Sequence, residues 1–310
     1  MVDLAHPAHA VRTRRSFWSR SSGLNRTRTA YAFLVPSLLI LGVFVIWPMI
    51  DAMVTSFTDS SIIGASHWVG IANYSKLVGD AAFLNALRNT AYYAVVTTPV
   101  SIVLALGAAL LLNQHIPARG FFRAVIFLPF VVSLSIISIA WTFLLDPDIG
   151  LVTNWLSMIG LHTGNGVRDP FWAMPAVMLV GIWRNVGFFM VMYLAGLQSI
   201  PRELIDASQI DGATSLQRFR HITWPLLANT TMFVCIVAAI FAFQAFDQIY
   251  VMTNGGPFFA TETLVMQIYR IGFTQFQMGY ASAISWVLVL IVLALSLLQM
   301  WYFNRRLVRG

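Results

Sequence analysis

The chain has 310 residues, of which 58% are hydrophobic and only 10% charged, with a mean hydropathy of +0.74. These values exclude a soluble domain and fit an integral membrane protein. The net charge of +7 comes from 19 Lys+Arg against 12 Asp+Glu; the arginines are split among four segments, so the excess reads as membrane topology, not as a nucleic-acid surface.

Residues 1–29 form a basic tail carrying Arg12, Arg14, Arg15, Arg20, Arg26 and Arg28. The apolar run behind it is too long for a signal peptide and shows no clear cleavage site. The tail is expected to be mobile and solvated, fixing topology and touching anionic lipid. A bilayer core needs about 20 apolar residues per helix. Six stretches supply them: 31–57, 91–112, 124–145, 172–197, 226–246 and 281–303. Pro129 interrupts the start of the third, and the sixth holds no charged residue.

The 58–90 connection contains His67-Trp68-Val69-Gly70 and Asn73-Tyr74, a compact polar and aromatic stretch. The 146–171 connection carries Asp146-Pro147-Asp148 and a Gly-rich portion at 160–166. In 247–280 a turn at Asn254-Gly255-Gly256-Pro257 precedes Leu264, Ile268 and Ile271. Their spacing predicts a short interfacial or re-entrant helix. Cys235, the single cysteine, is expected to be a small packing residue in the fifth span. No internal repeat stands out. Residues 30–303 read as one all-α membrane domain, followed by a short tail at 304–310.

Basic residues give the orientation. The tail arginines, Arg119 and Arg123, Arg202, Arg218 and Arg220, and Arg305, Arg306 and Arg309 fall on one side. Lys76, Arg88, Arg168 and Arg270 fall on the other. Positive residues mark the cytoplasmic side, so both termini and the 198–225 segment are expected there.

That segment is polar and cannot cross a bilayer. Pro201 suits the first turn of a helix, and Glu203 beside it suits the positive end of the dipole. Gly212 permits a sharp bend, Thr214 or Ser215 can cap a second helix, and Leu216, Phe219 and Ile222 form an apolar stripe. Trp224-Pro225 is expected to end the segment at the membrane edge. A helix lying on lipid usually carries many Lys/Arg on its polar face. Here Glu203, Asp206 and Asp211 accompany three arginines, which favours a protein partner.

The segment resembles the EAA loop of ABC importer permeases. Ile200, Pro201, Leu204, Asp206, Ala207, Ser208, Asp211, Gly212, Ala213, Phe219, Ile222 and Pro225 stand at matching positions. Asp206 replaces the usual Glu and Ser208 the usual Ala. A second match runs from Ala245 through Asp247, Tyr250 and Asn254-Gly255-Gly256-Pro257 to Thr261, Thr263-Leu264 and Gly279-Tyr280-Ala281. It is similar to the carbohydrate-uptake branch, the maltose and glycerol-3-phosphate type. The resemblance implies a six-helix, type I importer permease in a bacterial inner membrane. It also implies a second related permease, two ATP-binding subunits that hold the ATP and Mg, and an external solute-binding protein or lipoprotein. Glu203, Asp206, Ala207, Ser208, Asp211, Gly212, Ala213, Phe219 and Pro225 would then form the ATPase-coupling surface, moving as a lever during alternating access.

Polar residues inside spans are the remaining candidates. Arg184 lies mid-span, where a charge must face a partner or a water-filled cavity. Asp247 is its best available acidic partner, and Gln244 is placed on the same helix face as Asp247. Trp183, Phe243 and Tyr250 suit stacking on sugar rings. The resemblance, which carries substrate contacts on the helices flanking the loop, adds Asn185 and Phe188. No chemistry for catalysis is visible: the only lysine, Lys76, lies in no phosphate-binding Gly-x-x-x-x-Gly-Lys-Ser/Thr loop, the histidines lack metal-ligand spacing, and no nucleophile–base pair appears. A stand-alone secondary transporter or channel is the alternative reading; a membrane enzyme is a third.

Overall fold

A computed structural model describes residues 23–61, 66–160 and 165–307. The arginines at 12, 14, 15, 20 and 309 lie outside the described residues, as does His162. Apart from one isolated bridge between Thr58 and Trp68, the described residues form helices and turns. The chain divides into two compact units, 1–52 and 53–310.

The first unit contains α1 (Gly23–Leu41), a π-helical turn (Gly42–Ile46) and most of α2 (Trp47–Thr55). Together they make the apolar stretch Ala30–Thr55, long enough to span a membrane. Helix begins at Gly23, earlier than the hydropathy edge at residue 31, because helix does not stop where apolar residues stop.

The second unit opens with α3 (Ala72–Gly79), α4 (Ala81–Leu112), α5 (Arg119–Val131), α6 (Leu134–Leu144) and α7 (Leu151–Met158). It continues with α8 (Pro170–Gln198), α9 (Arg202–Ile210), α10 (Ser215–Arg218) and α11 (Trp224–Leu226). It ends with α12 (Ala228–Phe243), α13 (Asp247–Met252), α14 (Leu264–Tyr269) and α15 (Met278–Leu307). Four stretches here can each span a membrane: Ala81–Leu112, Pro170–Gln198, Ala228–Met252 and Met278–Phe303. The third expected span is a broken pair of helices. Instead of one helix over 124–145, α5 and α6 meet at 97°. Pro129 is accommodated within α5; the break falls at Val132 and Ser133, which are extended. Residues 81–90 are helical too, so α4 starts ten residues before the expected edge at residue 91.

Helix α8 lies at the centre, packed on α4, α5 and α12. Small residues on its surface allow this, as is common between helices in lipid. A Cβ at Gly187 would lie 2.8 Å from Phe127 Cα on α5 and closer still to Ile126 O. One at Gly196 would lie 2.9 Å from Thr230 Cγ2 on α12. One at Gly181 would strike the hydroxyl of Tyr93 on α4. Cys235 is half-buried on α12, a free thiol.

The 58–90 stretch is compact, as its aromatic content suggests. Phe57 stacks on Trp68 at 5.6 Å, and Asn73 donates to Ser56 O and Thr58 O. Asp80 caps α4 through Ala82 N and accepts from Tyr280 of α15 at 2.6 Å. Burial opposes ionisation of Asp80, but the hydrogen bonds from Tyr280, Ala82 and Phe83 prevail and hold its carboxyl below the usual range. The expected short helix after residue 257 is α14, and it is packed into the protein: Leu264, Met266 and Gln267 are all inaccessible. The loop before it is tied to α4 by Asn85 and Asn89, which both donate to Phe259 O, and by Leu264 N donating to Thr90 Oγ1. Buried Glu262 pairs with Arg270 at 2.6 Å. Burial raises the Glu262 carboxyl above its usual range while Arg270 pulls it back.

Gly187→Val should therefore separate α5 from α8. Overpacking of this kind costs about 1–3 kcal/mol, so the thermal midpoint of the purified chain should fall by several degrees. An unchanged midpoint would show that α5 is free to move away from α8.

Candidate functional site

A cavity of about 240 Å³ opens where the helices of the second unit are broken. Its walls are Tyr93 of α4, Phe130 of α5, Leu134 of α6, Gly181, Arg184 and Asn185 of α8, Phe241 of α12, and residues 244–248. Both irregular points of the bundle adjoin it. One is the α5–α6 break beside Phe130 and Leu134. The other is the interval between α12 and α13, where Phe246 has φ −140° and ψ −59°. Non-helical backbone at membrane depth is tolerated where it lines a polar cavity.

Four of the expected pathway residues, Arg184, Asn185, Gln244 and Asp247, share this cavity. Gln244 and Asp247 meet there because the chain breaks between them, not because they share a helix face. Arg184 forms no ion pair with Asp247 within 4.0 Å. Its guanidinium lies 4.8 Å above the Phe130 ring, and its Nη1 donates weakly to Asn185 Oδ1 at 3.4 Å. Its buried Nε has no protein partner. The charge is thus presented to the cavity instead of being neutralised across the bundle.

The four expected aromatics do not line it; Phe243 is buried in the apolar core. Trp183, adjacent to Arg184 on α8, points about 100° away and meets Trp141 edge-on at 5.6 Å. Phe188 stacks behind the wall, between Phe130 at 4.4 Å and Phe241 at 5.8 Å. Tyr250 packs on Phe246 and Tyr269. Tyr93 and Gln248 belong to the site and were not foreseen. Gln248 Nε2 donates to Tyr93 OH at 2.8 Å with both residues buried, which fixes α13 against α4. The only sequence signal for them is polarity within apolar runs. Among the described residues no group of three His, Cys, Asp or Glu side chains converges to hold a metal.

The second site is the 198–225 segment. Pro201 is the N-cap of α9, one residue outside the helix, and Glu203 lies in the first turn. Ser208 is buried and donates to Ile205 O; Glu203, Asp206, Ala207 and Asp211 are exposed. Gly212 has φ +75° with open space around it, and Ala213 N bonds back to Ser208 O. Thr214 and Gln217 form a reciprocal capping box at the start of α10. A π-helical turn, Phe219–Thr223, follows and leads into α11. Pro225 lies within helix, in the first turn of α11. Phe219 packs on Trp224 at 6.1 Å. Leu204, Ile210 and Leu216 are left exposed.

The family described as the binding-protein-dependent transport system inner membrane component matches residues 99–308. The chain belongs to this family. The permease is 33% identical over 282 residues to the sn-glycerol-3-phosphate transport system permease protein UgpA of Agrobacterium fabrum, covering 90% of this chain and 96% of that one. It is 37% identical over 279 residues to the probable ABC transporter permease protein YurN of Bacillus subtilis, covering 88% and 95%. Its fold matches a crystal structure of a bacterial alginate ABC transporter in complex with an alginate pentasaccharide-bound periplasmic protein. The TM-score there is 0.78 at 25% identity, over 92% of this chain and 96% of that one. The permease is a membrane-embedded transport subunit, not an enzyme.

If Arg184 and Asp247 act separately on the cavity, Arg184→Gln and Asp247→Asn should each slow uptake about tenfold, the loss of roughly one charge-assisted hydrogen bond. The double variant should then lose about a hundredfold. Recovery of the double variant toward either single rate would instead reveal a mutual ion pair.

Proposed function

We propose that this permease carries a sugar, a related polyol or a glycerophosphodiester through the membrane by alternating access. The observation that carries the reading is the convergence of Arg184, Asn185, Gln244 and Asp247 on one intramembrane cavity, in a chain of this family. Carboxylate, amide and guanidinium groups together suit a hydroxyl-rich solute, with Arg184 available for an anionic group. The names of the relatives, a glycerol-3-phosphate permease and an alginate importer, support that class.

The energy comes from elsewhere. Two ATP-binding subunits, holding ATP and Mg, dock on the 198–225 segment, and a second related permease completes the pathway. An external solute-binding protein or lipoprotein delivers the cargo. Exposed Leu204, Ile210 and Leu216 beside Glu203, Asp206 and Asp211 suit a protein groove better than solvent or lipid. The capping box and the Ala213–Ser208 bond make the segment stiff enough to pass a rigid-body movement to α8 and α12. Both termini and this segment face the cytoplasm in this reading.

Gly212 separates shape from surface. Arg in the left-handed region costs about 1–2 kcal/mol and should misdirect α10, so Gly212→Arg is expected to reach the membrane, bind the ATPase weakly and lose uptake. Asn tolerates that conformation, so Gly212→Asn should keep uptake within a few-fold. Normal uptake by Gly212→Arg, or uptake in vesicles lacking any ATPase, would reject the lever.

Orientation is checked by labelling. Cysteines introduced at Ser215 and Ser61 should react from the cytoplasmic and external sides respectively; reaction from one common side would reverse the topology argument.

A further inference from the structure

A second cleft, of about 950 Å³, opens beside the coupling segment. The connection after α4, the start of α5, the end of α8 and the face of α9 wall it. His115, Arg119, Arg123 and Arg202 line it, with Asp206 as the single acid. The ion pairs among the described residues lie elsewhere, so none of the three arginines is held in one. Arg123 is half-buried: one Nη donates to Leu112 O at 3.2 Å, and its Nε is buried without a partner. Arg119 opens α5 and Arg202 opens α9, and neither helix has a side-chain N-cap bond. The positive ends of both dipoles therefore add to the field, offset in part by Glu203.

We propose that this cleft binds a phosphate-bearing anion. Guanidinium forks match oxyanions. Three of them call for more acceptor oxygens than one carboxylate offers, whereas a phosphate group supplies enough. The volume accommodates a phospholipid headgroup or a small soluble organophosphate. The cleft lies where the apolar runs of α4 and α8 end, the depth at which headgroup phosphates lie, and basic pockets between spans hold such groups. The proposal is independent of the compound transported.

The test is ligand-dependent thermal unfolding of the full-length chain in phosphatidylcholine nanodiscs. Sodium phosphate is titrated against sodium chloride at equal ionic strength, and a parallel set of nanodiscs contains phosphatidylglycerol. A saturable rise in midpoint is expected. A response to inorganic phosphate assigns a soluble ligand, and a response to phosphatidylglycerol alone assigns a lipid headgroup. Arg202→Gln should weaken the apparent affinity about tenfold. Arg119→Gln/Arg202→Gln should abolish the response, and Arg119→Lys/Arg202→Lys should keep most of it. If the neutral double variant does not fold, the single variant and the lysine pair decide. No rise with either probe, or an equal rise in the neutral variants, overturns the proposal. So does a response lost once the ATP-binding partner is docked, because the cleft would then belong to that protein interface.

Discussion

Helix α8 can be the hub of this bundle only because it presents glycine where neighbouring helices cross it. Lipid supplies no hydrophobic force between helices, so close backbone approach and dispersion must hold them. Gly187 admits the backbone of α5, Gly196 admits α12, and Gly181 admits the hydroxyl of Tyr93 from α4. The same helix carries Arg184 and Asn185 and runs on to the coupling segment. Packing, the polar cavity and the link to the 198–225 segment are therefore properties of one element.

The cavity follows from that arrangement. Straight, continuous helices would satisfy their own backbones and leave no polar surface inside. Here α5–α6 and α12–α13 are each interrupted beside α8, and the irregular backbone faces the cavity. Arg184 is tolerated at this depth because it meets the cavity and the face of Phe130, not hydrocarbon. The Tyr93–Gln248 bond keeps α13 in place although its link to α12 is irregular.

Hydropathy was enough to locate five spans, and the spacing of Leu264 and Ile268 was enough to find α14. Local capping chemistry at Thr214 and the bend at Gly212 were readable because each depends on a few adjacent residues. What escaped depends on contacts distant in sequence. The 97° bend was hidden because Val132 and Ser133 look apolar or neutral, and Pro129 drew attention three residues too early. Trp183 and Tyr250 looked like ring-stacking residues, but an aromatic side chain in a membrane helix packs wherever its rotation places it. The stripe of Leu216, Phe219 and Ile222 assumed ordinary helical register, whereas a π-helical turn runs through Phe219–Thr223 and Leu216 is exposed.

The bent pair also bears on how the chain enters its membrane. At about 1.5 Å per residue, the 13-residue α5 and the 11-residue α6 reach about 20 Å and 16 Å, short of a hydrocarbon core of about 30 Å. Neither half is a self-sufficient insertion signal. The bend leaves the last carbonyls of α5 and the first N–H groups of α6 without intrahelical partners, which lipid cannot supply. Helix α5 packs on α8 and α6 packs mainly on α13, both made later in the chain. This pair therefore depends on its neighbours for a place in the bilayer, and its final packing waits on synthesis of α8 and α13.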